Sequence, residues 1–319
     1  MTRFLRSALL SLLALLMFST FLMAADKYSG TPAARGEFEK GKAAMQSGEW
    51  EKALGAYNRA VELDPNFAEA YLQLSSVRKL RAIGDLSGFG KMSDDERKKV
   101  GARVKESDIA DTKKYEELVR QHPDKPIYRW VLAKQYSEDN PELEEKLCKE
   151  AVALDSEFGP AYSCIAAVAN LRGDTQTAVQ AYRKLVALDP GKTEEWLHLQ
   201  RAANGDSPEY KAVTEEIVNK FPNTDTAVQA LSYYAETLPE AEQVTKYEEI
   251  VAKYPPKKFR AAAGAAERLF SFYDNTDPAK ADAFAHKMLN DLPGNKAWKK
   301  YVDYADGMAA AETKIAAND

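Results

Sequence analysis

Few residues of this chain stand at spacings that could do chemistry. Gly84-Asp85-Leu86-Ser87-Gly88 approaches a nucleophile elbow, but the serine comes one place late for the turn that would expose its hydroxyl. Gly88-Phe89-Gly90-Lys91 offers the lysine of a phosphate loop without its first glycine or the hydroxyl residue that would meet magnesium. His122, His198 and His286 lie far apart, with no His or Cys at ligand spacing, so no metal set forms. Glu215 and Glu216 are adjacent and point different ways on a helix, which suits a solvated face. Arg172-Gly173-Asp174 matches an adhesion tripeptide but falls where a tight turn is required anyway. The expectation is a chain that is not an enzyme, with no catalytic residue, no cofactor and no metal.

Cys148 and Cys164 are separated by sixteen positions, too far for a redox pair. Two readings stay open for them. In an oxidising compartment they form a disulfide; otherwise they fill small gaps as buried thiols.

The elements that would position any such residue are amphipathic helices. Gly159 to Pro190 reads as two short helices around a turn at Arg172-Gly173-Asp174, stopped at Leu188-Asp189-Pro190. Neither helix buries its apolar face alone, so the unit makes sense only when stacked on copies of itself. Gly173, Ala178, Tyr182 and Pro190 stand at the same intervals as Gly48, Ala53, Tyr57 and Pro65. Tyr-x7-Pro occurs four times, at Tyr57, Tyr115, Tyr182 and Tyr247. Composition alone would give about 0.7 such pairs. The phrase Glu-Glu-Leu/Ile-Val recurs at 116–119, 215–218 and 248–251.

With Tyr162, Ile165, Ala166, Gly173, Ala178, Tyr182 and Pro190 in this order, the unit resembles a tetratricopeptide repeat (TPR), a helix-turn-helix of about 34 residues. The resemblance implies an all-α fold, a right-handed superhelical solenoid of about six to seven TPR-like helix pairs with a C-terminal capping helix. The solenoid would span residues 34–293, with cap and tail at 294–319 and a linker at 26–33. The second pair is too long by the segment 84–106, a helical insert starting at Ser93, whose Glu96 completes a capping-box pattern. The second helix of that pair is expected from Asp108 to Gln121. The third pair is degenerate, and the seventh has lost most of the motif.

Arg3 and Arg6 precede nineteen uncharged residues, Ser7 to Ala25. This reads as a signal peptide cleaved near Ala24 or Ala25, or as an uncleaved anchor of minimal spanning length. Either reading exports the remainder, to the periplasm or beyond, and a membrane association follows only if the anchor stays. The net charge of −5 speaks against a nucleic-acid partner. No small-molecule substrate is evident.

Such repeats generally hold a peptide or helix in a groove lined by their first helices. By periodicity the groove positions are Phe38, Lys42, Met45 and Gln46, then Leu72, Ser76 and Lys79, then Ser163, Ala167 and Asn170, then Leu197, Arg201 and Asn204. They do not make up the Lys/Asn clamp that grips acidic C-termini in one subgroup. The reading is a non-catalytic exported scaffold for a protein or peptide partner. The alternative is the docking portion of a larger or partner enzyme whose catalytic domain lies outside this chain.

Overall fold

The computed structural model describes residues 27–83, 92–137, 139–205 and 207–316. The apolar stretch Ser7 to Ala25, the near-miss motifs at 84–91 and the last three residues lie outside them. Among the described residues there are fifteen helices and no strand. The chain divides into two compact units, Met1–Gly191 and Lys192–Asp319.

Unit one holds four helix pairs: α1 (Pro32–Gln46) with α2 (Trp50–Leu63), α3 (Ala68–Ile83) with α4 (Asp94–Gln121), α5 (Pro126–Lys134) with α6 (Pro141–Leu154), and α7 (Gly159–Leu171) with α8 (Thr175–Leu188). The turns inside the first and fourth pairs are built alike. Gly48 and Gly173 both take φ +71°, a left-handed conformation that costs glycine little. In each, the next amide reaches back five residues: Glu49 N–H donates to the Ala44 carbonyl and Asp174 N–H to the Ala169 carbonyl, both at 2.9 Å. This closes the preceding helix by the Schellman pattern and aims the chain back along it.

The pairs close on one side chain. Tyr57, Tyr115 and Tyr182 are buried, each from the second helix of its pair. The Tyr57 ring lies flat against the backbone of Gly41 in α1, so close that a Cβ there would stand 2.5 Å from the ring. Phe38 completes the contact, its centroid 5.3 Å from Tyr57 and 5.0 Å from Phe67. Tyr71 of α3 bridges to the next pair, edge-on to both Tyr115 and Tyr128.

The second pair departs from expectation. The small helix expected at the insert and the helix expected from Asp108 are one 28-residue helix, α4. The Ser93–Glu96 capping box is present, with three acidic residues in the first turn. Nothing between Val100 and Tyr115 breaks a helix: Gly101 is tolerated, and the Ser107-Asp108 step that resembles a cap continues instead. The Thr112 hydroxyl bonds back to the Asp108 carbonyl at 2.9 Å. The first helix also starts earlier than expected, at Pro32 under a Thr31 cap.

Third and fourth pairs are stitched by chemistry as well as packing. Cys148 of α6 and Cys164 of α7 are joined as a disulfide. Within the third pair, Lys134 of α5 and buried Glu144 of α6 form an ion pair at 2.6 Å, which spares that carboxylate an uncompensated charge in the core.

Unit two contains α9 (Thr193–Ala202) with α10 (Pro208–Lys220), α11 (Asp225–Ala235) with α12 (Glu240–Lys253), α13 (Ala262–Thr276) with α14 (Pro278–Asp291), and α15 (Lys296–Ala316). Gln200, fully buried on α9, donates to Thr214 Oγ1 of α10 at 2.7 Å and to the Ala230 carbonyl of α11 at 2.8 Å. One amide thus joins three helices. Tyr247 of α12, the fourth tyrosine of the series, is buried as well. Trp298 and Val302 of α15 cover the seventh pair, with the Trp298 ring edge-on to Phe270 and Phe284.

Two glycines in the first pair test the packing account. Gly41→Ala should lower the melting temperature of unit one despite a helix-propensity gain of about 1 kcal/mol, because the methyl must displace Tyr57. Gly55→Ala in α2, where an added Cβ meets nothing within 4 Å, should raise it. Thermal unfolding followed by circular dichroism reads both.

In unit two, Glu248 accepts from the Tyr273 hydroxyl at 2.6 Å and from Lys280 Nζ at 2.9 Å, tying α12 to α13 and α14. The Tyr273 bond, then the lysine, hold this carboxyl below its usual range. Its contribution is present above the ordinary carboxylate pKa and fades as pH falls through the depressed folded value. Glu248→Gln should therefore lower the unfolding temperature of unit two at neutral pH, and the difference should shrink in acid.

Candidate functional site

In unit one the expected groove positions divide by burial. Phe38 is 3% exposed and belongs to the core, because it is the residue that closes Tyr57 and Phe67 over α1. Met45 is half-buried against the same cluster. Lys42 is exposed, pairs with Glu39 at 3.1 Å and lies over the Phe38 ring. Gln46, Ser76, Ala167 and Asn170 are exposed, and Leu72 is 38% exposed. Ser163 is half-buried. Lys79 is half-buried and lies 3.4 Å from Asp108 of α4. The first helices thus present a row of mixed, modestly polar side chains.

Unit two shows a more developed site. Leu197 is buried, a core residue facing inward from the short α9. Arg201, on the same helix, and Asn204, just past its end, are exposed. The Arg201 guanidinium sits 5.8 Å from the ring centre of Tyr233 on α11, a cation–π contact between consecutive first helices. Beside Tyr233 a hollow of about 660 Å³ opens between α11 and α13. It is lined by Gln229, Ser232 and Tyr233 of α11 and by Glu236 just past it, and across from them by Arg260 and Arg268. Gly264 lies on its α13 wall, and a Cβ there would meet nothing within 4 Å, so the wall is open backbone at that position.

Asp225 and Glu236 also face this hollow, and both are engaged. Asp225 accepts from the Ala261 N–H at 2.9 Å and so fixes the start of α13 against α11. Glu236 lies 3.5 Å from Arg268. Arg260 is exposed and has no ion-pair partner among the described residues. Beneath them, burial pushes the Tyr247 hydroxyl above its ordinary pKa; Glu236 adds to this and Arg268 opposes it. The arrangement has hydrogen-bond donors, an aromatic face and bare backbone. It has no nucleophile with a base at bonding distance.

The sequence reading reached Arg201 but missed Tyr233, Gln229, Arg260 and Arg268. The signal was available on α11, where positions 225, 229, 232, 233 and 236 fall on one face without an aliphatic residue. Among the described residues no group of three or more His, Cys, Asp or Glu is placed to hold a metal ion. His286 is exposed near Asp282 and Asp306, and the bond to the Asp282 carbonyl, followed by those carboxylates, raises its pKa. No helix of the described residues is long and apolar enough to cross a membrane.

A model of the TPR repeat matches residues 41–77. Comparison with curated protein sequences found no match. Among solved structures, the C-terminal part of a TPR repeat-containing protein from Cytophaga hutchinsonii is similar with a TM-score of 0.46 and 15% identity, over 82% of this chain and 98% of that one. YrrB, a TPR protein with an unusual peptide-binding site, is similar with a TM-score of 0.37 and 15% identity, over 59% of this chain and 96% of its own. Residues 41–77, from the middle of α1 through α3, thus match the tetratricopeptide repeat, and the chain around them is an all-α array of helix pairs of the same helix-turn-helix form.

Proposed function

We propose that this chain is a non-catalytic, exported scaffold that holds a protein partner, with an extended peptide or a helix laid across the first helices of unit two. The observation that carries the reading is the hollow between α11 and α13. Its walls combine an aromatic platform at Tyr233, an unpaired cation at Arg260 and the open backbone at Gly264. A side chain from a partner could be clasped there, and Arg and Tyr are the residue types that most often anchor interfaces. The rest of the first-helix row would supply complementarity more than affinity.

Export is supported by two independent features. Ser7 to Ala25 has the composition of a leader, and Cys148–Cys164 is the kind of bond that persists in oxidising compartments.

Affinity capture from an envelope extract, comparing the native chain with the double variant Tyr233→Ala/Arg260→Glu, tests the binding site. The native chain should retain a partner that the variant loses by about tenfold or more, a typical anchor effect. The helical circular dichroism signal should be unchanged, since the Arg260 side chain has no ion-pair partner among the described residues and Tyr233 contributes only the contact with exposed Arg201. A partner held equally by both contradicts the site. Intact-mass measurement of the protein recovered from the envelope should show either a mature chain beginning near Asp26 or the full leader; recovery from the cytosol alone contradicts export.

A further inference from the structure

The residues just before the first helix do more than link. Asp64-Pro65-Asn66-Phe67, after α2, and Asp155-Ser156-Glu157-Phe158, after α6, are two copies of one connection, Asp-x-x-Phe. In both, the aspartate uses one oxygen for its own turn: Oδ1 accepts the Asn66 N–H and the Glu157 N–H respectively, each at 2.9 Å. In both, the other oxygen accepts from the segment 27–31. Asp64 Oδ2 takes the Thr31 N–H at 2.9 Å. Asp155 Oδ2 takes both the Lys27 ammonium and the Tyr28 hydroxyl.

The phenylalanines are used twice as well. Phe158 receives the Tyr28 ring edge-on, with centroids 4.5 Å apart. Phe67 packs on Gly30, where φ is +88° and a Cβ would stand 2.6 Å from the ring. The Tyr28 carbonyl accepts the Ala68 N–H at 3.1 Å, so the first of the two connections is also held through backbone. Arg35 of α1 reaches back to the Ser29 and Gly30 carbonyls, both at 2.9 Å. Tyr28 is buried although it stands outside every helix. Burial, then Asp155, push its hydroxyl up to about 12, so it remains a donor. The seat is braced from behind, because Cys148 and Cys164 bond the two helices that the Asp155–Phe158 connection joins.

We infer that Lys27–Thr31 is a strap that closes the first helix pair onto the disulfide-braced connection between α6 and α7, bypassing the second pair. In a stacked array an end pair has a neighbour on one side only and is the first to fray. Here the strap gives the end pair a second attachment, about 90 residues further along the chain. It does so by reading the same Asp-x-x-Phe connection at two places. The inference is independent of the partner site in unit two.

Hydrogen–deuterium exchange on the full chain tests it. Tyr28→Ala should speed exchange across α1 and α2 and at Ala68 by about tenfold or more, while α9 to α15 keep their native protection. Tyr28→Phe, which keeps the ring, should give part of this effect, and Asp155→Asn added to it should loosen α1 and α2 further, because it also removes the Lys27 ion pair. Cys148→Ser/Cys164→Ser, with the strap intact, should also loosen α1 and α2. Native protection of α1 and α2 in Tyr28→Ala would overturn the inference. So would loss spread evenly over both units, because the strap would then hold no particular pair.

Discussion

The fold depends on how closely two helices can approach. Neither helix of a pair can bury its apolar face alone, and in four of the pairs a buried tyrosine from the second helix fills the gap between them. In the first pair the partner is Gly41, and the Tyr57 ring occupies the volume a side chain would need. Every later feature inherits this spacing. The turns at Gly48 and Gly173 only have to reverse the chain over that short distance, which is why both use the same left-handed glycine and the same pair of back-bonds. The solvent-facing sides of the first helices are then free to carry polar residues, and the candidate site in unit two is built from such a side, above Tyr247.

Much of this was legible because it follows local rules. The tyrosines, the turn glycines and the prolines past the helix ends stand at fixed intervals, and the structure buries all four tyrosines of the series. What local rules could not supply was extent and direction. Ser107-Asp108 has the form of a helix start, yet α4 runs through it, since no breaker precedes it and Asp111 finds Arg78 at 2.8 Å from within a continuous helix. Phe38 and Leu197 fit a groove by period, but period alone does not say which side of a short helix meets the core. Long-range stitches such as Gln200 to the Ala230 carbonyl, or Tyr28 to Asp155, join residues with no spacing relation at all.

The two units hold themselves by different means. Unit one uses aromatic closure, a buried ion pair and a disulfide; unit two uses a buried glutamine on α9 bonded to two further helices and an aromatic cap from α15. These fixed supports lie below the open first-helix face of unit two. Gln200 and Trp298 give unit two that rigidity without drawing on Arg260 or Tyr233.

Site-specific photocross-linking in living cells tests the central claim most directly. A photoreactive side chain would replace Gln229, on the wall of the hollow, and in a second protein Lys211, exposed on α10. The account predicts a discrete protein adduct from position 229 and none from position 211. Adducts from position 211 alone, or none from position 229 in cells where the protein is folded and expressed, would contradict it.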